Sequence, residues 1–174
     1  KRLARASVAS RREIERMIAA RRVKVNGRVI DSPALNVTDK DIIIVDGNII
    51  AEREPTMLYR YHKPAGIVTT ASDPQGRPTV FEQLPKELGR VISVGRLDLN
   101  TEGLLLLTNN GELSRYLELP STGWTRRYRV RVHGVVDPKK LELLAQGVEY
   151  DGVQYGPVIA TIEQAQDRAN VWID

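Results

Sequence analysis

Residues 95–111 read Gly-Arg-Leu-Asp-Leu-Asn-Thr-Glu-Gly-Leu-Leu-Leu-Leu-Thr-Asn-Asn-Gly, a polar loop followed by an apolar run and a turn. The run of four leucines predicts a buried strand over Leu104–Thr108. The apolar, β-branched stretch Val91–Val94 predicts a second strand that leads into the loop. This strand–loop–strand order forms the centre of the expected fold, and the loop carries one carboxylate, Asp98.

The rest of the chain after residue 56 mixes strand and helix patterns. Further strands are predicted at Met57–Tyr61, Ile67–Thr70, Arg127–His133, Val158–Ile162 and Val171–Ile173. Helices are predicted at Thr79–Leu84, at Glu112–Leu119 after an Asn110 cap, and from an Asp137 cap to Gly147. Many strands with interspersed helices indicate the α+β class, with a mixed, mainly antiparallel sheet and flanking helices.

The first 50 residues predict a small α+β module. Ser10 and Glu13 match a capping box, so a helix is expected to begin at Arg11 and to end near Arg21. Asn26-Gly27 between two apolar runs predicts a hairpin with a type I′ turn. Two more short strands complete the module, at Ile42–Val45 and Ile49-Ile50.

The expected domain organisation is a basic module at residues 1–50, a linker at 51–56 and a larger domain at 57–174. The linker is polar and contains a proline near its end. The chain is also expected to be incomplete, because it starts as if inside an earlier helix. It ends at Trp172-Ile173-Asp174 as if within a strand, so the larger domain is expected to lack its C-terminal part.

Positive charge is concentrated at the N-terminus. Residues 1–30 contain ten Lys or Arg and two Asp or Glu, a net charge of +8, whereas the remainder contains 16 and 20, a net charge of −4. This asymmetry indicates a polyanion-binding module, with a solvated basic face as the competing interpretation. RNA or DNA is favoured because the basic residues lie on predicted folded elements. The assigned nucleic-acid contacts are Arg11, Arg12, Arg16, Arg21, Arg22, Lys24, Asn26 and Arg28.

The composition excludes several kinds of site. The chain has no Cys, so it can form neither a disulfide nor a thiolate metal site, and its two His are isolated. The phosphate-binding and dinucleotide-binding glycine motifs are absent. No apolar stretch approaches the roughly 20 residues that span a bilayer. We therefore expect neither a metal site nor a membrane span, and the absence of Cys fits a reducing compartment, so a cytoplasmic location is expected.

Asp98 is then the best candidate nucleophile or base. In an extended loop Arg96 would point the same way and keep the carboxylate ionised. A structural salt bridge or a turn aspartate is the competing interpretation. Tyr128 is expected to face inward from its strand, beside arginines, where it either stacks on an RNA base or fills the core.

Read together, these segments resemble the RsuA-like family of bacterial ribosomal-RNA pseudouridine synthases, over essentially the whole chain. Gly95-Arg96-Leu97-Asp98, with Thr101 and Gly103, is similar to the catalytic motif of that family. Lys63-Pro64 with Gly66 is similar to its first conserved segment.

Three other segments carry the same resemblance. Arg127-Tyr128 is similar to the strand with the active-site tyrosine of the family. The module around Ser10 and Asn26-Gly27 resembles the small RNA-binding domain shared with a small-subunit ribosomal protein. Residues 73–81 resemble the branch that acts on large-subunit rRNA.

The resemblance implies the isomerisation of a uridine in RNA to pseudouridine, without cofactor or metal. Asp98 would be the catalytic carboxylate, and it would attack the sugar, attack the ring or remove a sugar proton. The base would leave the RNA stack. Arg96 would hold the flipped conformation and Tyr128 would stack on the uracil. The implied partner is ribosomal RNA, with the large subunit favoured over the small, and a monomer is expected.

One departure from the family supports a competing hypothesis. The family continues into a segment with a basic partner for the catalytic aspartate and an apolar residue under the base. Neither has a counterpart before Asp174, where this sequence stops. The alternative is a catalytically silent RNA-binding or ribosome-assembly protein.

Overall fold

The computed structural model describes residues 2–6, 8–50, 54–165 and 170–174. The chain forms two compact units, Lys1–Gly123 and Trp124–Asp174. The predicted linker lies within the first unit, and its residues 51–53 fall outside the described residues. No helix in the described part of the chain is both long and apolar enough to cross a membrane.

The first unit begins with two short helices beside an antiparallel four-stranded sheet. The helices are α1 (Arg2–Arg5) and α2 (Arg11–Ala19). The strands, in the spatial order β2-β1-β3-β4, are β1 (Val23–Val25), β2 (Arg28–Val29), β3 (Ile43–Val45) and β4 (Asn48–Ile49). The core consists of Leu3, Ile14, Ile18, Val23, Val25, Ile43 and Val45. The helix and the two hairpins predicted for this module are confirmed.

Local chemistry explains the shape of this module. The Ser10 hydroxyl accepts a hydrogen bond from the Glu13 N–H at 3.1 Å, which caps α2 as predicted. The Asn26-Gly27 turn has φ of 49° and 80°, and both residues of a type I′ turn need positive φ. Asp46-Gly47, with φ of 51° and 85°, makes the second hairpin in the same way.

A second sheet carries the loop that contains Asp98. Its strands are β5 (Leu58–Lys63), β6 (Ile92–Val94) and β7 (Gly103–Thr108), antiparallel in the order β5-β7-β6. Helix α3 (Gly111–Glu118) follows β7, and the Asn110 side chain caps it. Ile67, Val80, Val91, Leu105 and Leu107 form the core of this region. The strands at Val91–Val94 and Leu104–Thr108 are confirmed within a residue or two.

The second unit has a three-stranded sheet, a hairpin and a helix. The sheet contains β8 (Val130–His133), β11 (Ile162–Ala165) and β12 (Asn170–Ile173) in the order β11-β12-β8. The hairpin is β9 (Val148–Tyr150) with β10 (Val153–Tyr155). Asp137 caps helix α4 (Pro138–Leu143), as predicted, since its carboxylate accepts from the Lys139 N–H at 3.0 Å.

Two predicted strands are wrong in extent. Residues 67–70 contribute a single parallel bridge, Val68 with Thr79, because the neighbouring segment turns into a short 3₁₀ helix at Phe81–Gln83. Residues 127–129 lie outside β8, because the last residue of β12, Ile173, pairs with Val130.

The second unit departs from prediction in two further places. The strand predicted at Val158–Ile162 begins only at Ile162, because the Val158 N–H donates instead to the Leu144 carbonyl at 2.9 Å. The β9–β10 hairpin was not predicted, although Asp151-Gly152 is a typical type I′ pair, with φ of 52° and 72°.

Candidate active site

The Asp98 loop, defined here as residues 95–102, connects β6 to β7. It leaves β6 at Gly95, whose φ of 70° is a left-handed conformation that favours glycine. The Gly95 N–H donates to the Glu118 carboxylate at 2.8 Å, and the Ser114 hydroxyl donates to the same oxygen at 3.0 Å. Helix α3 therefore fixes the start of the loop.

Lys63, at the end of β5, holds the middle of the loop. Its side chain is fully buried, and its Nζ lies 2.9 Å from the Asp98 carbonyl and 2.7 Å from the Thr101 carbonyl. Two further carbonyls, of Pro64 at 3.0 Å and Leu99 at 3.3 Å, complete the group of acceptors. An ammonium group is all donor, so it suits a site made only of carbonyl oxygens. Burial lowers the pKa of Lys63, while the charge of Asp98 opposes that shift.

Thr69 and Gly66 bind the loop on either side of Asp98. The Thr69 hydroxyl donates to the Leu97 carbonyl at 2.9 Å and accepts from the Leu97 N–H at 3.3 Å. The Gly66 N–H donates to the Leu99 carbonyl at 2.8 Å. The backbone is thus held at the residue before Asp98 and at the residue after it.

The Asp98 side chain itself is exposed. Its carboxylate accepts no hydrogen bond from any residue that the structure describes. The backbone hydrogen bonds fix the position of Asp98, while its carboxylate bonds no described residue. A nucleophile or general base needs this arrangement, because its carboxylate must be held in place and still be able to react with a substrate.

Arg96 is exposed on the same loop and forms no ion pair with Asp98 or with any other described carboxylate. The competing interpretation of a structural salt bridge between these two side chains is therefore not supported. The Arg96 guanidinium and the Asp98 carboxylate can therefore each contact a bound substrate.

Tyr128 belongs to the second unit and precedes β8 by two residues. The residue is 50% exposed and lies outside the strand, so the expected core position on a strand is wrong. The other interpretation, stacking on an RNA base, stays a prediction. The neighbouring arginines share two carboxylates. The Nε atoms of Arg127 and Arg129 lie 3.1 and 2.9 Å from Asp174, and both guanidinium groups also pair with Glu163. The two guanidinium groups thus meet the same acidic side chains, and Tyr128, which separates them in sequence, is half exposed.

The eight side chains assigned to nucleic acid are all exposed. Arg16 pairs with Glu13, and Arg22 pairs with Asp46 through an Nε–Oδ1 contact of 2.8 Å that lowers the pKa of the Asp46 carboxyl. The Asn26 amide bonds Asp41 at 2.8 Å and the Ile42 N–H at 2.9 Å, so it joins the two hairpins of the module. The other five form no ion pair with a described residue: Arg11, Arg12, Arg21, Lys24 and Arg28.

Within the described ranges, no group of three or more His, Cys, Asp or Glu side chains could hold a metal ion. Sequence reasoning assigned no role to Lys63, Thr69 or Glu118. A signal for Lys63 was present, because strand alternation places it on the same face as Tyr59 and Tyr61, both partly buried. Thr69 and Glu118 carry no such signal, since their partners lie 28 and 23 residues away in sequence.

Comparisons with known proteins identify similar sequences and a similar fold. A family model described as RNA pseudouridylate synthase matches residues 58–171, and one described as the S4 domain matches residues 1–43. An uncharacterized RNA pseudouridine synthase of Rickettsia conorii is 45% identical over 172 residues, which are 99% of this chain and 74% of that protein.

Two other proteins show the same similarity. The ribosomal large subunit pseudouridine synthase B of Escherichia coli is 48% identical over 155 residues, which are 86% of this chain and 53% of that protein. The crystal structure of a pseudouridylate synthase has a similar fold, with a TM-score of 0.55 and 24% identity over 98% of this chain and 73% of that chain.

Proposed function

This chain belongs to the RNA pseudouridylate synthase family and is an isomerase, and we propose that its substrate is a specific uridine of ribosomal RNA. The reaction breaks the N-glycosidic bond between N1 of uracil and C1′ of ribose. The detached base rotates, and a bond forms between C5 and C1′. The proton on C5 is released to water, and N1 gains one, so atoms balance without an oxidant or a co-substrate.

The observation that carries this proposal is the Asp98 loop. Lys63, Gly66 and Thr69 fix its backbone, while the Asp98 carboxylate is exposed and bonds no described residue. Such a group can act on a ribose or a uracil presented to it. Asp98 is therefore the proposed catalytic residue.

Arg96 and Tyr128 are the proposed contacts to the substrate. The target uridine must leave the RNA stack before a protein carboxylate can reach its glycosidic bond, at a cost of a few kcal/mol. The unpaired Arg96 guanidinium supports a role in holding the flipped-out conformation through phosphate. Because the Tyr128 ring is half exposed, it can stack on the uracil.

The N-terminal module is the proposed source of RNA affinity. Five of its assigned side chains carry charges that no described carboxylate neutralises, which suits phosphate contacts. The domain organisation that we propose is this module at residues 1–50, a linker at 51–56 and the catalytic domain from 57.

Large-subunit rRNA is the favoured substrate. The name of the Escherichia coli relative refers to the large ribosomal subunit, and the loop at 73–81 supports the same branch. Mapping pseudouridines in rRNA from cells with and without the gene would identify the modified subunit.

Asp98→Asn tests the proposed chemistry. The change keeps the size of the side chain but removes its charge and basicity. With rRNA tritiated at C5 of uracil, we expect tritium release to fall at least about a hundredfold. RNA affinity should stay close to that of the wild type, because the Asp98 side chain itself is assigned no phosphate contact.

The matched control is Asp151→Asn, which removes the same charge from an exposed turn aspartate whose positive φ asparagine tolerates, and it should leave tritium release within a few-fold. If the wild-type protein binds rRNA but releases no tritium, the RNA-binding alternative replaces the enzyme. If Asp98→Asn retains full release, another residue performs the reaction.

A further inference from the structure

A groove of about 440 Å³ in the first unit lies apart from the Asp98 loop. Its lining comes from the start of α2, from the segment before β6 and from α3, and it includes no residue of 95–102. The volume falls within the range of small-ligand sites, about 300–1,000 Å³. The side chains that give the groove its chemical character are Arg11, Arg90, Arg115, Tyr116 and Glu112.

Three guanidinium groups line this groove without a carboxylate partner. Arg11, Arg90 and Arg115 form no ion pair with any residue in the described part of the chain. Other arginines of the first unit vary: Arg22 and Arg77 are neutralised by Asp46 and Asp73. Arg12, Arg21 and Arg28 also lack an ion pair with a described residue, but they do not line this groove. What distinguishes Arg11, Arg90 and Arg115 is that one concave surface brings them together.

Arg90 is the most informative of the three because it is partly buried. Burial lowers the pKa of its guanidinium group, and no carboxylate of the described residues forms an ion pair that would offset the loss of hydration. A desolvated charge without a partner costs free energy, and a bound anion would remove that cost. Glu112 supplies one negative charge to the lining, so positive charges still exceed negative ones by two.

The remaining surface of the groove is apolar and contains an aromatic ring. Tyr116 on α3 is 57% exposed, and Ile92 and Leu119 contribute aliphatic surface beside it. Cationic groups around an exposed aromatic ring suit single-stranded nucleic acid, because phosphates pair with arginine while bases stack on the ring. The carboxylates of an acidic peptide would pair with the arginines, but they would not stack on the tyrosine ring, so nucleic acid is the better match.

We propose that this groove binds a single-stranded segment of the RNA substrate, away from the target uridine. Arg11, Arg90 and Arg115 contact phosphates, and Tyr116 stacks on a base. The proposal rests on the proposed function only in taking RNA as the substrate. The groove would continue the basic surface of the N-terminal module, since Arg11 belongs to both.

The test is a change of affinity and of its salt dependence. For Arg90→Ala with Arg115→Ala, the dissociation constant for a single-stranded rRNA fragment should rise roughly tenfold or more. The slope of log affinity against log salt should fall by roughly 1.4, which corresponds to two phosphate contacts on a single strand. Tyr116→Ala should weaken binding without changing the slope, and Tyr116→Phe should bind like the wild type.

Lys86→Ala with Lys140→Ala is the matched control, because it removes the same charge from exposed sites outside the groove. An unchanged salt slope in the arginine variant, or an equal loss in the lysine control, would overturn the proposal. If the partly buried Arg90 is needed for folding, Arg115→Glu on the exposed face of α3 replaces the double variant. Tritium release at saturating RNA separates the two proposals, since groove variants should keep the wild-type maximal rate.

Discussion

Lys63 is a fully buried lysine that is balanced by backbone rather than by a carboxylate side chain. Removing a charge from water is costly, and burial accordingly lowers its pKa. Four carbonyl oxygens within 3.3 Å provide the compensating hydrogen bonds. Three of them belong to residues 98–101, so the residue that needs compensation is also the one that fixes the Asp98 loop.

Lys63→Met tests this positioning role. Methionine fills a similar volume but donates no hydrogen bond, so the carbonyls of the Asp98 loop lose their donor. An unsatisfied buried polar group costs about 1–3 kcal/mol, and we expect the free energy of unfolding to fall by at least about 2 kcal/mol. Tritium release should fall while RNA affinity stays close to that of the wild type.

The control for this change is Lys86→Met, an exposed lysine that should tolerate methionine with little effect on either measurement. Lys63→Arg should not rescue the loop, because a planar guanidinium cannot occupy the site of a compact ammonium group. Wild-type stability in Lys63→Met would show that the four carbonyls find other donors.

At the scale of elements, the loop over residues 73–78 is organised by a single carboxylate. Asp73 accepts from the backbone N–H groups of Gln75 at 3.2 Å and Arg77 at 2.9 Å. The Arg77 guanidinium adds contacts of 3.1 and 2.8 Å. These partners lower the pKa of Asp73 from 3.8 to about 2.

The pKa of Asp73 gives a pH prediction with a definite sign. The folded-state pKa is depressed, so its stabilising contribution is complete above the ordinary value near 3.8 and is lost as pH falls through about 2. An NMR titration of the Asp73 carboxyl carbon should have its midpoint near pH 2 in the wild type. In Arg77→Ala the midpoint should rise towards 4, whereas a wild-type midpoint near 4 would contradict the bonding described here.

Local signals predicted the elements that depend on local chemistry. The Ser10 cap, the Asn26-Gly27 turn and the Asn110 cap each act within a few residues, and all three occur as predicted. The strand expected at residues 67–70 depends on a distant partner, and there the prediction is wrong. The strand predicted around Tyr128 failed for the same reason. A strand there needs partner residues in β12, and the last paired residue of β12, Ile173, lies opposite Val130.

The candidate site was predictable only in part for the same reason. Asp98 and Arg96 could be identified from the composition and order of one loop. The residues that fix the loop could not, because Lys63 lies 35 residues from Asp98 in sequence and Thr69 lies 28 from Leu97. Strand periodicity predicts that Lys63 faces the core, but it does not predict which carbonyl oxygens accept its hydrogen bonds.

At the scale of the molecule, the excess positive charge and the proposed catalytic residue lie in different parts of the sequence. Residues 1–30 carry a net charge of +8, while the exposed carboxylate of the proposed reaction lies on the sheet of β5, β6 and β7. A module that binds phosphates regardless of sequence supplies affinity and position, and it adds a salt-dependent contribution to binding.

Arg11→Ala with Arg12→Ala tests this division. Both side chains are exposed at the start of α2 and form no ion pair with a described residue. We expect weaker RNA binding and a salt slope flatter by roughly 1.4, with the maximal rate of tritium release unchanged. Lys139→Ala with Lys140→Ala removes equal charge from α4 and should leave the slope as it is, whereas a slope that is insensitive to the arginines would mean a merely solvated basic face.

Lys63 also makes the arrangement around Asp98 depend on the pairing of β5 with β7. Its acceptors in the Asp98 loop lie 35 to 38 residues ahead in sequence, so they come within reach only after β5 has paired with β7. Contacts of that separation close later than hairpins with two-residue turns, which is how the basic module is built. A chain that loses the β5–β7 pairing would therefore keep its attraction for polyanions while losing the arrangement around Asp98.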